Sequence, residues 1–278
     1  MKNLILLIVL TCGLSLSNQA QKLILKWKSD TLLRVPESVL FDAVRNKLYV
    51  ANIDGSPWEK DGKGSISVLS TDGKIEKVEW VTGLDAPKGM GLYKNNLYVA
   101  DVSRVIVIDV TSGKITNKIE MEGTKNLNDV TVSKSGQVYI SDSGTGKVYT
   151  INKGKGELYF ESPELKGTNG VLAIADGLYL VDFSNGQNWK LGKDKKLTKV
   201  CITAEQADGV VSVGNGDYLV SSWGGKIFYV NAKGESTKIL DTTAEKVSSA
   251  DIEYDLKSKT LYVPTFFKNS VMAYTFEK

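Results

Sequence analysis

The chain has 278 residues, 42% of them hydrophobic and 24% charged, with a net charge of +3 and lysines scattered along its length. That is an ordinary globular composition with room for a large core, and with no dense basic run it argues against nucleic acid as a partner. Histidine is absent, which excludes a Ser-His-Asp triad, a histidine general base and a His-ligated zinc site.

The first elements read as targeting rather than structure. Lys2 supplies a positive start, residues 4–16 are apolar or weakly polar, and Asn18-Gln19-Ala20 ends on a small residue. This is the pattern of a cleaved signal peptide over residues 1–20. The chain is therefore expected to be exported, to the periplasm or outside the cell, with residues 21–278 as one domain. The apolar run is too short for a membrane span. Cys12 leaves a lipoprotein alternative open, although Thr11 stands where such signals usually carry glycine, alanine or serine. Without the signal, Cys201 is the sole cysteine, so no intrachain disulfide can form. It reads as a small buried apolar residue.

Residues 22–28 then mix apolar and basic residues at strand length, with no partner nearby in sequence. From there to the C-terminus the chain is a series of short strands punctuated by turn residues. The first repeat places strands at 39–41, 48–52, 64–69 and 76–81, and its extra length, 53–62, is a surface loop carrying Trp58. The second runs from Met90 through 96–101, 105–109 and 114–119. Later repeats place strands at 137–142, 146–151 and 157–160, then 177–182, 188–191 and 197–202, then 217–221, 226–230 and 236–240. The last repeat has only 260–265 and 270–276 after its opening, one strand short. No segment reads as a long helix.

Each repeat opens alike, at 36–42, 87–93, 127–133, 168–174, 207–213 and 249–255. The second residues of these openings are Glu37, Lys88, Asn128, Asn169, Asp208 and Ala250, at gaps of 51, 40, 41, 39 and 42. A polar residue opening an apolar strand at this period signals a propeller. The expected fold is all-β: a six-bladed β-propeller of four-stranded antiparallel blades, its ring closed by 22–28 as the missing outer strand, which hides both exposed edges. A second ring runs through Tyr49, Tyr98, Tyr139, Tyr179, Tyr218 and Tyr262. Three residues beyond each comes Asn52, Asp101, Asp142, Asp182, Ser221 or Thr265. Those tyrosines are expected to pack between blades, and the polar residues to bond the backbone of neighbouring turns.

Inner strands of a propeller line its channel, so the opening residues converge at one mouth. Glu37, Asn128, Asn169 and Asp208 are hard oxygen donors suited to a divalent ion of the calcium or magnesium class. With about four side chains, water or substrate would complete the roughly six to eight positions that calcium takes. The same residues can instead line a hydrated channel, and Lys88 pairing with Glu37 or Asp208 would replace the metal. Asp251, one place past the ring position, reads as a turn residue.

Pro36-Glu37-Ser38, Leu127-Asn128-Asp129, Thr168-Asn169-Gly170 and Ala207-Asp208-Gly209 resemble the repeat openings of the regucalcin/gluconolactonase family, with glutamate, asparagine, asparagine and aspartate in the same order. The resemblance implies a divalent cation, calcium first and magnesium, manganese or zinc as alternatives, held by Glu37, Asn169 and Asp208. It implies that Asn128 contacts substrate or a ligand water and that Asp208 doubles as the base in sugar-lactone hydrolysis. Lys88 has no counterpart that the family requires. It is assigned to a substrate carboxylate or the developing oxyanion. Two positions before Asn128, where the family often has arginine, stands Asn126. The function expected is an exported metal-dependent lactone or ester hydrolase acting on a small molecule. The alternative is a non-catalytic propeller: Ser141-Asp142-Ser143-Gly144-Thr145-Gly146-Lys147-Val148 also resembles the NHL class. In that case a protein partner would meet loops such as 53–62, and the mouth would be inert.

Overall fold

The computed structural model describes residues 21–278, so the expected signal segment and Cys12 lie outside the described residues. Six four-stranded antiparallel sheets make up the ring, and in five of them the strands pair in chain order. The sixth is composite, as expected. Lys22–Lys28 pairs with Val271–Glu277, which pairs with Thr260–Pro264 and then Glu253–Asp255. Among the described residues the helical structure is a single 3-10 turn, Phe266–Lys268, and no helix is long and apolar enough to cross a membrane.

Burial follows the strand order. Outer strands such as Lys114–Glu120 (Lys-Ile-Thr-Asn-Lys-Ile-Glu) are polar and mostly exposed, whereas Gly64–Ser70 and Thr260–Pro264 are buried nearly throughout. The core lies between blades rather than within one. Tyr49, Ile66 and Val68 of the first blade pack with Met90, Leu97 and Ile106 of the second. Tyr179 and Tyr218 bring their rings to 4.2 Å across the interface between the fourth and fifth blades. The polar partners of the tyrosine ring bond backbone as expected. Asp101 accepts from the amides of Asp85 and Ala86, both at 2.9 Å; Asp142 accepts from Lys125 and Asn126; Asp182 accepts from Lys166 and Gly167. Cys201 departs from expectation. It sits on an outer strand, Leu197–Ile202, and is only partly buried.

Ring closure involves side chains as well as strand pairing. Trp27 reaches from the first strand onto the first blade, where its indole donates to the Thr71 carbonyl at 3.1 Å. Its ring occupies the space a Cβ would need at Gly73, whose φ of +91° also favours glycine.

What aims the inner residues is a repeated irregularity. In the first blade Pro36 pairs with Asn52 and Ser38 with Ala51, leaving Glu37 unopposed. In the next four, the register jumps from Pro87 to Met90, Leu127 to Val130, Thr168 to Val171 and Ala207 to Val210, always against a shorter step on the partner strand. Each jump is a β-bulge, which kinks the strand and redirects a side chain. Glu37, Lys88, Asn128, Asn169 and Asp208 all stand in these bulges.

Candidate functional site

The five bulge residues line one cavity of about 320 Å³ at one mouth of the channel. They are 2–5% exposed, yet few of their polar atoms are satisfied. Glu37 Oε2, Asn128 Oδ1, Asn169 Oδ1, Asp208 Oδ1 and Lys88 Nζ have no hydrogen-bond partner among the described residues. Buried polar atoms are nearly always paired, so four oxygens and an ammonium left bare in one cavity mark a place built to receive something. Asn128 does have one use for its amide: Nδ2 donates to Ser143 Oγ at 3.4 Å.

Burial governs the protonation of this floor. It raises Glu37 to about 7, partly offset by the Lys88 charge and reinforced by Asp129. Burial also lifts Asp208 well above the carboxylate range, with Glu37 and Asp129 adding to the rise and Lys88 opposing it. Lys88 is pushed down by burial, against the pull of Glu37, Asp208 and Asp101. The direct pairing of Lys88 with Glu37 or Asp208 that the sequence left open is not formed. Its ammonium instead lies 4.2 Å from the ring centre of Trp58, a cation–π contact.

Trp58 belongs to the loop that follows Asn52, and that loop is fixed at several points. The amides of Ile53 and Asp54 donate to the carbonyls of Val35 and Arg34, Lys60 donates to Ser103 Oγ at 2.6 Å, and the Gly62 amide donates to Asp85 at 3.2 Å. The loop that the non-catalytic alternative took as its binding surface thus roofs Lys88 and belongs to the mouth. Further aromatic residues complete the rim: Phe183, Trp223, Phe266 and Phe267 line the same cavity. Sequence reasoning misses them, although a signal is present. Phe183 follows the strand Gly177–Asp182, Trp223 follows Asp217–Ser222, and Phe266 follows Thr260–Pro264 by two residues.

Asp251 requires a correction. It is not a turn residue; it is buried in the channel, where it accepts from Ser38 Oγ at 2.6 Å. Its amide donates to the Glu37 carbonyl at 2.9 Å, so it joins the last blade to the first. With Asp129 and Glu253 it lines a second cavity of about 270 Å³ farther along the inner strands. Asp129 is held by the amides of Val130 and Val171, and Glu253 by those of Tyr254 and Phe41. Among the described residues no three acidic, thiol or imidazole groups gather as a metal site. The mouth is a different set, two carboxylates and two amide oxygens, and its unpartnered oxygens fit a hard cation.

No family model and no curated protein matches the chain. Solved structures resemble it closely in fold. A catalytically inactive histidine-to-alanine variant of virginiamycin B lyase from Staphylococcus aureus, with quinupristin, aligns at TM-score 0.65 and 14% identity over 92% of this chain and 99% of that one. A candidate gluconolactonase aligns at TM-score 0.67 and 14% identity over 92% of this chain and 94% of its own. A chain of a nidogen–laminin complex aligns at 0.62 and 17% identity over 77% and 82%. Such identities establish a shared six-bladed propeller and leave the chemistry to the site.

Proposed function

We propose that the mouth is the active site of a divalent-cation-dependent hydrolase that opens a lactone or a related ester. The observation that carries this reading is the set of four buried oxygens, on Glu37, Asn128, Asn169 and Asp208, which no group among the described residues satisfies. Glu37, Asn169 and Asp208 would hold the cation, and Asn128 would face the substrate. A bound cation supplies Lewis-acid polarisation of the substrate carbonyl. The likeness in fold to a candidate gluconolactonase is consistent with this assignment. Transfer of a lyase chemistry dependent on histidine has no support, because this chain contains no histidine.

The chain's own residues divide the remaining work. Asp208, once ionised, takes a proton from the attacking water. As the water oxygen bonds to the acyl carbon, charge develops on the carbonyl oxygen, and the Lys88 ammonium or the Asn128 amide steadies it. The acyl C–O bond then breaks, and the proton held by Asp208 passes to the departing alkoxide. The roof over Lys88 keeps bulk water from that charge.

Titration of the purified protein with calcium or manganese in weak buffer is the test. Binding of about one ion per chain with release of protons is expected, together with lactone hydrolysis that is lost on chelation. Asp208→Asn should lower turnover by about a hundredfold or more and weaken ion binding. Absence of ion binding, or full turnover by Asp208→Asn, would overturn the proposal.

A further inference from the structure

Above its polar floor the cavity is walled by Pro57, Trp58, Phe183, Trp223, Phe266 and Phe267, drawn from four blades, and Gln206 is the single polar residue among that lining. The aromatic rings meet one another edge-on: Trp223 lies 5.4 Å from Phe266 and 6.0 Å from Phe267, and those two rings are 4.8 Å apart. Phe267 remains 64% exposed and Trp58 38% exposed. Scattered exposed apolar residues are unremarkable, but several gathered at the rim of a cavity mark a binding surface. One collar residue is also strained in its backbone. Phe266 holds φ at 49°, which a bulky residue rarely adopts, and the turn it starts carries Phe267 over the mouth.

We propose, on the basis of the hydrolase reading, that the substrate is a lactone or ester with an aryl or extended acyl body. The body sits within the aromatic collar, and the carbonyl meets the floor. A polyhydroxylated sugar lactone, which the resemblance in sequence implies, matches the wall poorly. Those ring hydroxyls that face the wall rather than the floor would find one amide, that of Gln206, and each hydroxyl desolvated without a partner weakens binding by about tenfold. An aryl ring finds edges and faces of Trp58, Trp223 and Phe267 already in place.

Lactam analogues, which bind but resist hydrolysis, separate recognition from catalysis. Calorimetry should give the lactam analogue of dihydrocoumarin an affinity at least about tenfold above that of gluconolactam. Phe267→Ala, a change at an exposed ring that leaves the core intact, should weaken the aromatic lactam by about threefold or more and leave gluconolactam unaltered. Equal or tighter binding of gluconolactam, no binding of either, or indifference to Phe267→Ala would overturn the inference. Turnover of dihydrocoumarin and gluconolactone is measured in parallel. Collar-dependent lactam binding without turnover of either lactone sustains the aromatic substrate class and removes the hydrolase. Preferred turnover of gluconolactone sustains the hydrolase and removes the aromatic substrate class.

Discussion

Lys88 decides the electrostatic character of the floor. Its ammonium is 2% exposed, unpartnered except for the face of Trp58, and opposed to any second cation entering beside Glu37 and Asp208. A hydrolase that uses both a divalent ion and this lysine must tolerate the repulsion because the lysine serves the substrate end. Lys88→Met should therefore move two measurements in opposite directions. Calcium affinity, read by calorimetry, rises by about tenfold as the like charge is removed, while lactone turnover falls. Stability changes little, because methionine fills similar volume without a charge that burial disfavours. If calcium binding fell with the substitution, Lys88 would be organising the ion site rather than competing with it. Asp251 shows where single residues mislead. Its side chain type and its place before a short strand fit a turn, and only the closed ring puts Ser38, 213 residues away, within 2.6 Å.

The recurrent element is the bulged opening of the inner strand in five of the six blades, and its third residue matters as much as its second. Gly89 sits where a Cβ would lie 2.3 Å from Asp129 Oδ1 and 2.5 Å from its Cα; Gly209 meets Asp251 Oδ1 at 2.6 Å in the same manner, and Gly170 meets the Asp208 carbonyl at 2.3 Å. Glycine is needed there for close approach between blades, since Gly89 is not among the positive-φ glycines. Gly89→Ala should cost about 1–3 kcal/mol in a urea melt through overpacking, with lower lactone turnover as Lys88 and Asn128, which serve the substrate end, are pushed apart. An unchanged melt would mean that the blades can separate without loss. The second-position ring was legible from the sequence because polar residues interrupt apolar strands at a steady period. The bulge was not, because extra residues in one strand become visible only against the strand it pairs with. The aromatic collar left a signal, an aromatic residue just past the second strand in three blades, but its meaning was hidden for a related reason. Phe183, Trp223 and Phe266 lie in connections of unequal length, and only the ring places them around one opening.

The whole molecule encloses its charges unevenly. Along the channel stand Glu37, Asp129, Asp208, Asp251 and Glu253, all with carboxyl groups raised by burial, and Lys88 is the buried lysine among them. The architecture that closes them in was readable in advance: the missing last strand and the orphan first strand implied each other, and Lys22 does pair with Glu277. The electrostatic consequence needed the fold. Glu253 has a usual value of 4.5 and rises to about 7 in the folded chain through burial, against the amides of Tyr254 and Phe41. Between those values the folded state binds more protons than the unfolded one, so stability falls as pH rises through that window. Surface carboxylates held low, such as Asp109 beside the hydroxyls of Thr111 and Ser112, are moved away from the window and leave it untouched. Urea denaturation of the cation-free protein should accordingly give a higher midpoint at pH 5 than at pH 8. Glu253→Gln keeps an acceptor for the Tyr254 amide, removes one of the titrating groups, and should recover roughly 1–3 kcal/mol at pH 8 while changing little at pH 5. Calcium should raise the pH 8 midpoint of both proteins alike, because it acts at the mouth and not at Glu253. A midpoint that climbs from pH 5 to pH 8, or a Glu253→Gln protein with the parent's slope, would show that the channel carboxylates are hydrated well enough to ionise freely in the folded ring.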